Sequence, residues 1–133
     1  MSERTLRAQV RRWVACFLAV APLVASAQYP AKPITLIVPF ASATASDLAA
    51  RIVAGEMATA MGQPVIVQNR PGANSAIGAA AVASAAPDGY TLLLATAGTA
   101  ALPALNKSVP FDIRSLTPIA FVCRFPVYLY VNV

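Results

Sequence analysis

The sequence predicts an α/β fold built as a doubly wound parallel sheet. Two observations carry this. Short apolar runs rich in β-branched residues alternate along the chain with segments of helical periodicity, and proline and glycine hold the connections between them to a few residues. A strand, helix, strand, helix, strand order with such short links calls for parallel strands joined by right-handed crossovers.

The first run, ITLIV at Ile34–Val38, lies between Pro33 and Pro39 and predicts a strand buried on both faces. Residues 48–61 follow as an amphipathic helix. Ala49, Val53, Met57 and Met61 recur every fourth position with Leu48 and Ile52 beside them, while Arg51, Glu56 and Thr59 fall elsewhere. Thr44 precedes this helix with Asp47 three residues on. That spacing resembles a capping box, which satisfies free backbone N–H groups and sets a carboxylate at the positive helix end. Asp47 also stands one turn before Arg51, within reach of an ion pair. Gly62 and then Pro64 stop the helix. Residues 64–68 (PVIVQ) predict a second buried strand and residues 69–73 (NRPGA) a turn.

An alanine-rich helix is expected over residues 74–86, where Gly78 and the alanines let it lie close to a sheet. Pro87, Asp88 and Gly89 form a turn before a third strand at residues 90–95. A loop and short helix are expected over residues 96–106, and two further strands at residues 116–123 and 127–133.

The amino terminus has a different character. Arg4, Arg7, Arg11 and Arg12 precede an apolar stretch at residues 13–24, and the small residues Ala25, Ser26 and Ala27 follow it. This is the pattern of a cleavable secretory signal, and the stretch is shorter than the roughly 20 residues a spanning helix needs. Residues 1–27 therefore read as a leader, and residues 28–133 as one partial α/β lobe. The net charge of +5 divides unevenly, with +3 on the leader and +2 on the rest, so no basic patch points to nucleic acid. Beyond the leader Cys123 is the only cysteine, and its apolar run suggests a small core residue.

In a parallel α/β sheet the helices begin where the strands end, so residues 40–44, 69–75 and 96–99 are expected along one edge, the usual binding crevice. Each loop feeds a helix start, where unpaired N–H groups and the helix dipole favour an anion. Ser42, Thr44, Ser46, Ser75, Thr96 and Thr99 add small hydroxyls without a string of lysines, which suits a carboxylate. Serine and threonine at such positions are also ordinary caps and turn formers.

Enzymatic chemistry has little support. The chain has no histidine, no serine in a GxSxG frame, and no cluster of acids suited to a metal; Asp47, Glu56, Asp88 and Asp112 are scattered. The glycines of GANSAIG do not make a dinucleotide fingerprint. No cofactor and no catalytic residue are expected.

At YPAKPITLIVPFA, VIVQNRPGAN and IGAAAVASAAPDGYTLLLATAGT, and on through VPFD, LTPIAFV and VYLYVNV, the chain resembles the substrate-binding proteins of tripartite tricarboxylate transporters, the Bug family of bacterial periplasmic proteins. The resemblance implies a type II periplasmic binding fold, in which two α/β lobes close over a small, usually carboxylated solute and deliver it to membrane transport subunits. It implies that this chain is a leader plus an incomplete first lobe, exported to the periplasm, with Val133 near the point where family members cross to the second lobe. It also implies ligand-facing positions at Phe40, Ala41, Ser42, Ala43, Thr44, Ser46, Asp47, Asn74, Ser75, Thr96, Gly98 and Thr99. The family's first loop places two glycines where Ala43 and Thr44 stand here, and small glycines are common where Asn74 and Ser75 stand. The third loop has no asparagine before Pro103 and carries Asn106 where tyrosine is usual. Glycine at such places permits positive φ or close approach of backbone to ligand. The alternative implication is a remnant that binds nothing and completes its fold against another polypeptide through an open sheet edge.

Overall fold

A computed structural model describes residues 28–124 and 129–131. Among the described residues three parallel strands form the sheet, β1 (Ile34–Val38), β2 (Val65–Asn69) and β3 (Thr91–Leu93), in the order β2-β1-β3. The helices α1 (Ala45–Met61), α2 (Ala76–Ala83) and α3 (Ala97–Leu105) accompany them. The leader read at residues 1–27 lies outside the described residues.

The central position of β1 follows from its composition: five residues without a charge, Ile34 and Val38 fully buried, and partners on both sides. Side chains alternate across the sheet. Leu36 and Val38 face one layer, where they pack with Ala50 and Ala54 of α1 and with Leu94. On the other layer Leu93 packs with a cluster of Ala76 and Ala79 of α2, Leu102 of α3 and Phe111. Helices therefore cover both faces.

Several expectations change. Among the described residues β2 is an edge strand, half-exposed along its length rather than buried, because the strand order there leaves β1 as its one neighbour. The buried stripe of α1 is Asp47, Ala50 and Ala54, while Leu48 and Ile52 are 61% and 62% exposed. Alanine lets the helix axis approach the sheet more closely than leucine would, and Asp47, bonded toward the end of β2, fixes the rotation. α1 also begins three residues earlier than its apolar pattern suggests, since its start is set by the Thr44 cap.

α2 is shorter at both ends than the expected residues 74–86. Ala73, Asn74 and Ser75 all have positive φ and form a tight turn before it, and Ala86 precedes Pro87, which disfavours helical backbone. β3 shortens to Thr91–Leu93, although Leu94 N–H still donates to Ile37 O at 2.9 Å. No strand forms over residues 116–123, where Ile119, Phe121 and Cys123 are exposed, so Cys123 is not a core residue. Of the strand expected at residues 127–133, residues 129–131 are described and are not strand; the others lie outside the described residues.

Candidate functional site

The parallel register puts three strand ends side by side. Val38 pairs with Asn69 and Ile37 with Leu93, and beyond them Arg70 N–H donates to Val38 O at 2.8 Å. The loops that leave β1, β2 and β3 thus depart from one edge, and each runs into a helix start. The strand order turns at β1, so its outgoing loop sits where doubly wound sheets open a crevice.

The first loop is the most heavily braced. Thr44 caps α1, its Oγ1 accepting from Asp47 N–H at 3.3 Å. The reciprocal half of the expected capping box is displaced by one residue, because the Asp47 carboxylate accepts from Ala43 N–H at 2.9 Å instead of from Thr44. Ala43 has φ 63°, the left-handed region that glycine normally fills. The other Asp47 oxygen accepts from Asn69 Nδ2 at 2.8 Å, and Arg51 Nε reaches the Ala43-bound oxygen at 3.1 Å. Arg51 Nη2 and Ser42 Oγ both donate to Asn69 Oδ1, at 3.2 and 3.1 Å, while Asn69 Nδ2 also donates to Phe40 O at 3.2 Å.

Asp47 is only 3% exposed. The Arg51 hydrogen bond above all, then those from Asn69 and Ala43, hold its pKa at about 2 against the opposing effect of burial. Both oxygens are occupied by protein donors, so this carboxylate lies beneath the loop and does not face outward from it. Asn69 and Arg51 were not singled out as site residues by sequence reasoning. The signal that could have found Asn69 is its place as the last residue of a strand entering a crevice loop.

The second loop turns at Gly72, where φ is 128° and a Cβ would stand 2.6 Å from Ile77 Cδ1. Three left-handed residues follow, with φ 46° at Ala73, 52° at Asn74 and 78° at Ser75. Asn74 is exposed, whereas Ser75 is buried and its Oγ has no hydrogen-bond partner among the described residues. This turn packs against α3.

The third loop carries a full capping box. Thr96 Oγ1 accepts from Thr99 N–H and Thr99 Oγ1 accepts from Thr96 N–H, each at 3.4 Å. Thr99 is 1% exposed, so its hydroxyl serves the helix start, while Gly98 is open to solvent and meets nothing closer than Thr96 Oγ1 at 3.6 Å. Ser46 is half-buried in the first turn of α1, and Phe40 is half-buried against the α1 layer.

The structure thus brings Phe40, Ala41, Ser42, Ala43 and Thr44 into one loop tied to β2 through Asn69, and sets the turn at Asn74 and Ser75 against α3, the helix whose start holds Thr96, Gly98 and Thr99. A separate open hollow of about 320 Å³ lies on the sheet face beside α2, between Thr35, Ile37, Gln68, Arg70, Ala81 and Ala85. It borders the second loop at Arg70. No group of three or more His, Cys, Asp or Glu suited to a metal ion occurs among the described residues. No helix among them is long and apolar enough to cross a membrane.

Comparison with known proteins agrees with this architecture. The family described as tripartite tricarboxylate transporter family receptor, TctC, matches residues 49–133. The chain is 40% identical over 116 residues to protein BugT of Bordetella pertussis, a match that takes in 85% of this chain and 36% of BugT. A solved structure of a periplasmic transporter is 48% identical with a TM-score of 0.61, over 63% of this chain and 29% of that one. MatC from Rhodopseudomonas palustris, solved with bound malate, is 39% identical with a TM-score of 0.60 over the same shares. The chain spans about a third of the length of the curated relatives it matches. On sequence, sheet topology and structural likeness together, it belongs to the tripartite tricarboxylate transporter receptor family of solute-binding proteins.

Proposed function

We propose that this chain is the first lobe of a periplasmic solute-binding protein that takes a small carboxylated solute non-covalently for uptake by a tripartite transporter. One observation carries the reading: the three loops leave one edge of a parallel sheet and each opens a helix, so backbone N–H groups and positive dipole ends converge where a carboxylate would sit. The malate bound to MatC supports the solute class. Ala41, Ser42, Ala43, Thr44 and Ser46 present one wall, with Phe40 at its base. Asn74, Thr96 and Gly98 present the adjoining wall with Ser75 and Thr99 buried behind it, and Asp47 braces the first from below. No bond to the solute forms or breaks. Residues 1–27 act as the export signal, and membrane subunits of the transporter receive the solute.

A second reading rests on the exposed apolar side chains Leu48, Ile52, Ile66, Ile119 and Phe121, and on the outer edge of β2, which no strand among the described residues pairs. In it the lobe binds nothing alone and folds to completion only against another polypeptide.

One set of measurements separates the two. Thermal melting of the purified, exported chain is followed with malate, citrate, glutamate and aspartate. A solute present at a hundred times its Kd stabilises the fold by about 2.7 kcal/mol. A cooperative transition that moves with none of these acids refutes the first reading. A monomer in light scattering that melts cooperatively on its own refutes the second. Mass measurement of the exported chain tests the signal, with Gln28 expected as its first residue.

A further inference from the structure

We propose that Asp47, Arg51 and Asn69 form a positioning ring that holds the first loop in a glycine-like conformation and cancels the one negative charge beneath it. The inference rests on the preceding reading of that loop as a ligand wall, and it adds two residues, Arg51 and Asn69, that the family resemblance did not supply.

The ring is closed. Arg51 reaches Asp47 through Nε and Asn69 through Nη2, at 3.1 and 3.2 Å, and Asn69 Nδ2 completes the circuit to Asp47 at 2.8 Å. A planar guanidinium spans the two acceptors with two N–H groups at fixed separation, which a lysine ammonium does not reproduce. The ring reaches the loop at three points: Ala43 N–H, Phe40 O and Ser42 Oγ. It thereby joins the end of β2, the first turns of α1 and the outgoing loop of β1.

Two consequences follow. Ala43 keeps its left-handed backbone because its N–H is captured by a charged acceptor, a bond stronger than a neutral one. Glycine would hold that conformation without help, since it has no Cβ to clash. The second consequence is electrostatic. A buried carboxylate under a loop that receives an anion would repel it, and Arg51, bonded directly to that carboxylate, balances its charge. Arg51 is half-exposed, so its charge also faces solvent.

The test uses the full exported chain and its Asp47→Asn, Asn69→Ala and Arg51→Lys variants, each first shown to melt cooperatively. Hydrogen exchange of the Ala43 amide reads the ring without any ligand. Loss of the charged acceptor in Asp47→Asn should speed that exchange by about tenfold or more, the factor one charge-assisted hydrogen bond carries. Arg51→Lys should fall between wild type and Asp47→Asn. Titration with malate then reads the consequence. Asp47→Asn and Asn69→Ala should each weaken binding by about tenfold. Adding Ala43→Gly to Asp47→Asn should recover most of that loss, because glycine needs no brace. A purely structural role would lower the melting temperature, leave the affinity of the folded protein unchanged and show no rescue by glycine. Unchanged Ala43 exchange in Asp47→Asn would overturn the ring itself. If wild type binds neither malate nor citrate, the ligand reading fails, and the exchange result still decides whether the ring exists.

Discussion

Gly78 of α2 lies against Pro39 so closely that a Cβ on residue 78 would stand 2.7 Å from the Pro39 Cβ and 3.0 Å from Arg70 O. Both obstacles are rigid, one a proline ring that follows β1 and the other backbone that follows β2. The missing side chain is what lets the second helix start directly above the strand ends. Gly78→Ala must therefore push the helix outward or distort both loops, at a cost of about 1–3 kcal/mol, the usual range for overpacking. Urea unfolding of the variant measures this. A change within experimental error would mean that α2 does not sit so close to the sheet.

The left-handed residues offer the opposite kind of change. Left-handed backbone costs an alanine roughly 1–2 kcal/mol, and glycine offsets part of that gain through its freer unfolded chain. Ala43→Gly is expected to stabilise the fold by about 0.5–1 kcal/mol, and Asn74→Gly by less, because asparagine tolerates this region. Ser75→Gly should give the largest gain of the three. It relieves a φ of 78° and also removes a buried hydroxyl without a partner, a group that costs about 1–3 kcal/mol where it stands. Chemical denaturation of the single variants ranks them. A destabilised Ser75→Gly would show that the hydroxyl has a partner after all.

The two threonine caps differ in kind and should respond differently. Thr44 makes a one-sided cap, since Asp47 answers to Ala43 and not to Thr44, so Thr44→Ala should cost about 1 kcal/mol. Thr96 and Thr99 cap each other reciprocally within 3.4 Å. Their single alanine variants should be non-additive in a double-mutant cycle, with a coupling of roughly 0.5–1 kcal/mol. Independent effects at Thr96 and Thr99 would contradict the reciprocal box.

Much of this fold was legible because strong local signals agreed with each other. Gly62 stops α1 with φ 66° as the Gly and Pro spacing implies, ITLIV is the central strand, and Asp47 pairs with Arg51 one turn on. What the sequence could not convey was tertiary. The rotation of α1 is chosen by alanines approaching a sheet and by an aspartate bonded to Asn69, while the larger Leu48 and Ile52 remain outside. β2 opens on the apolar residues Val65, Ile66 and Val67 much as β1 does, and the strand order makes it an edge. At the site, the loop positions were readable from strand ends and hydroxyl-rich sequence. The ring that holds them joins residues up to 29 positions apart, so no local pattern could announce it.

The pH response follows from the same ring. Asp47 is held at about 2 in the folded chain, below its unfolded value near 3.9, by Arg51 first and then by Asn69 and Ala43. A depressed carboxylate contributes stability that is fully present above its unfolded pKa and is lost as pH falls through the folded one. Asp88 acts in the same direction, lowered chiefly by the Tyr90 N–H and then by Lys32, but it is more exposed. Stability should therefore be level with respect to these two groups above about pH 5 and decline between about pH 4 and pH 2. Asp47→Asn should flatten most of that decline while leaving the smaller part due to Asp88, which Asp88→Asn would remove. Urea midpoints collected from pH 7 down to the acid limit of folding provide the check. An acid slope that survives unchanged in Asp47→Asn would mean that its carboxylate is not held by Arg51 and Asn69 in solution.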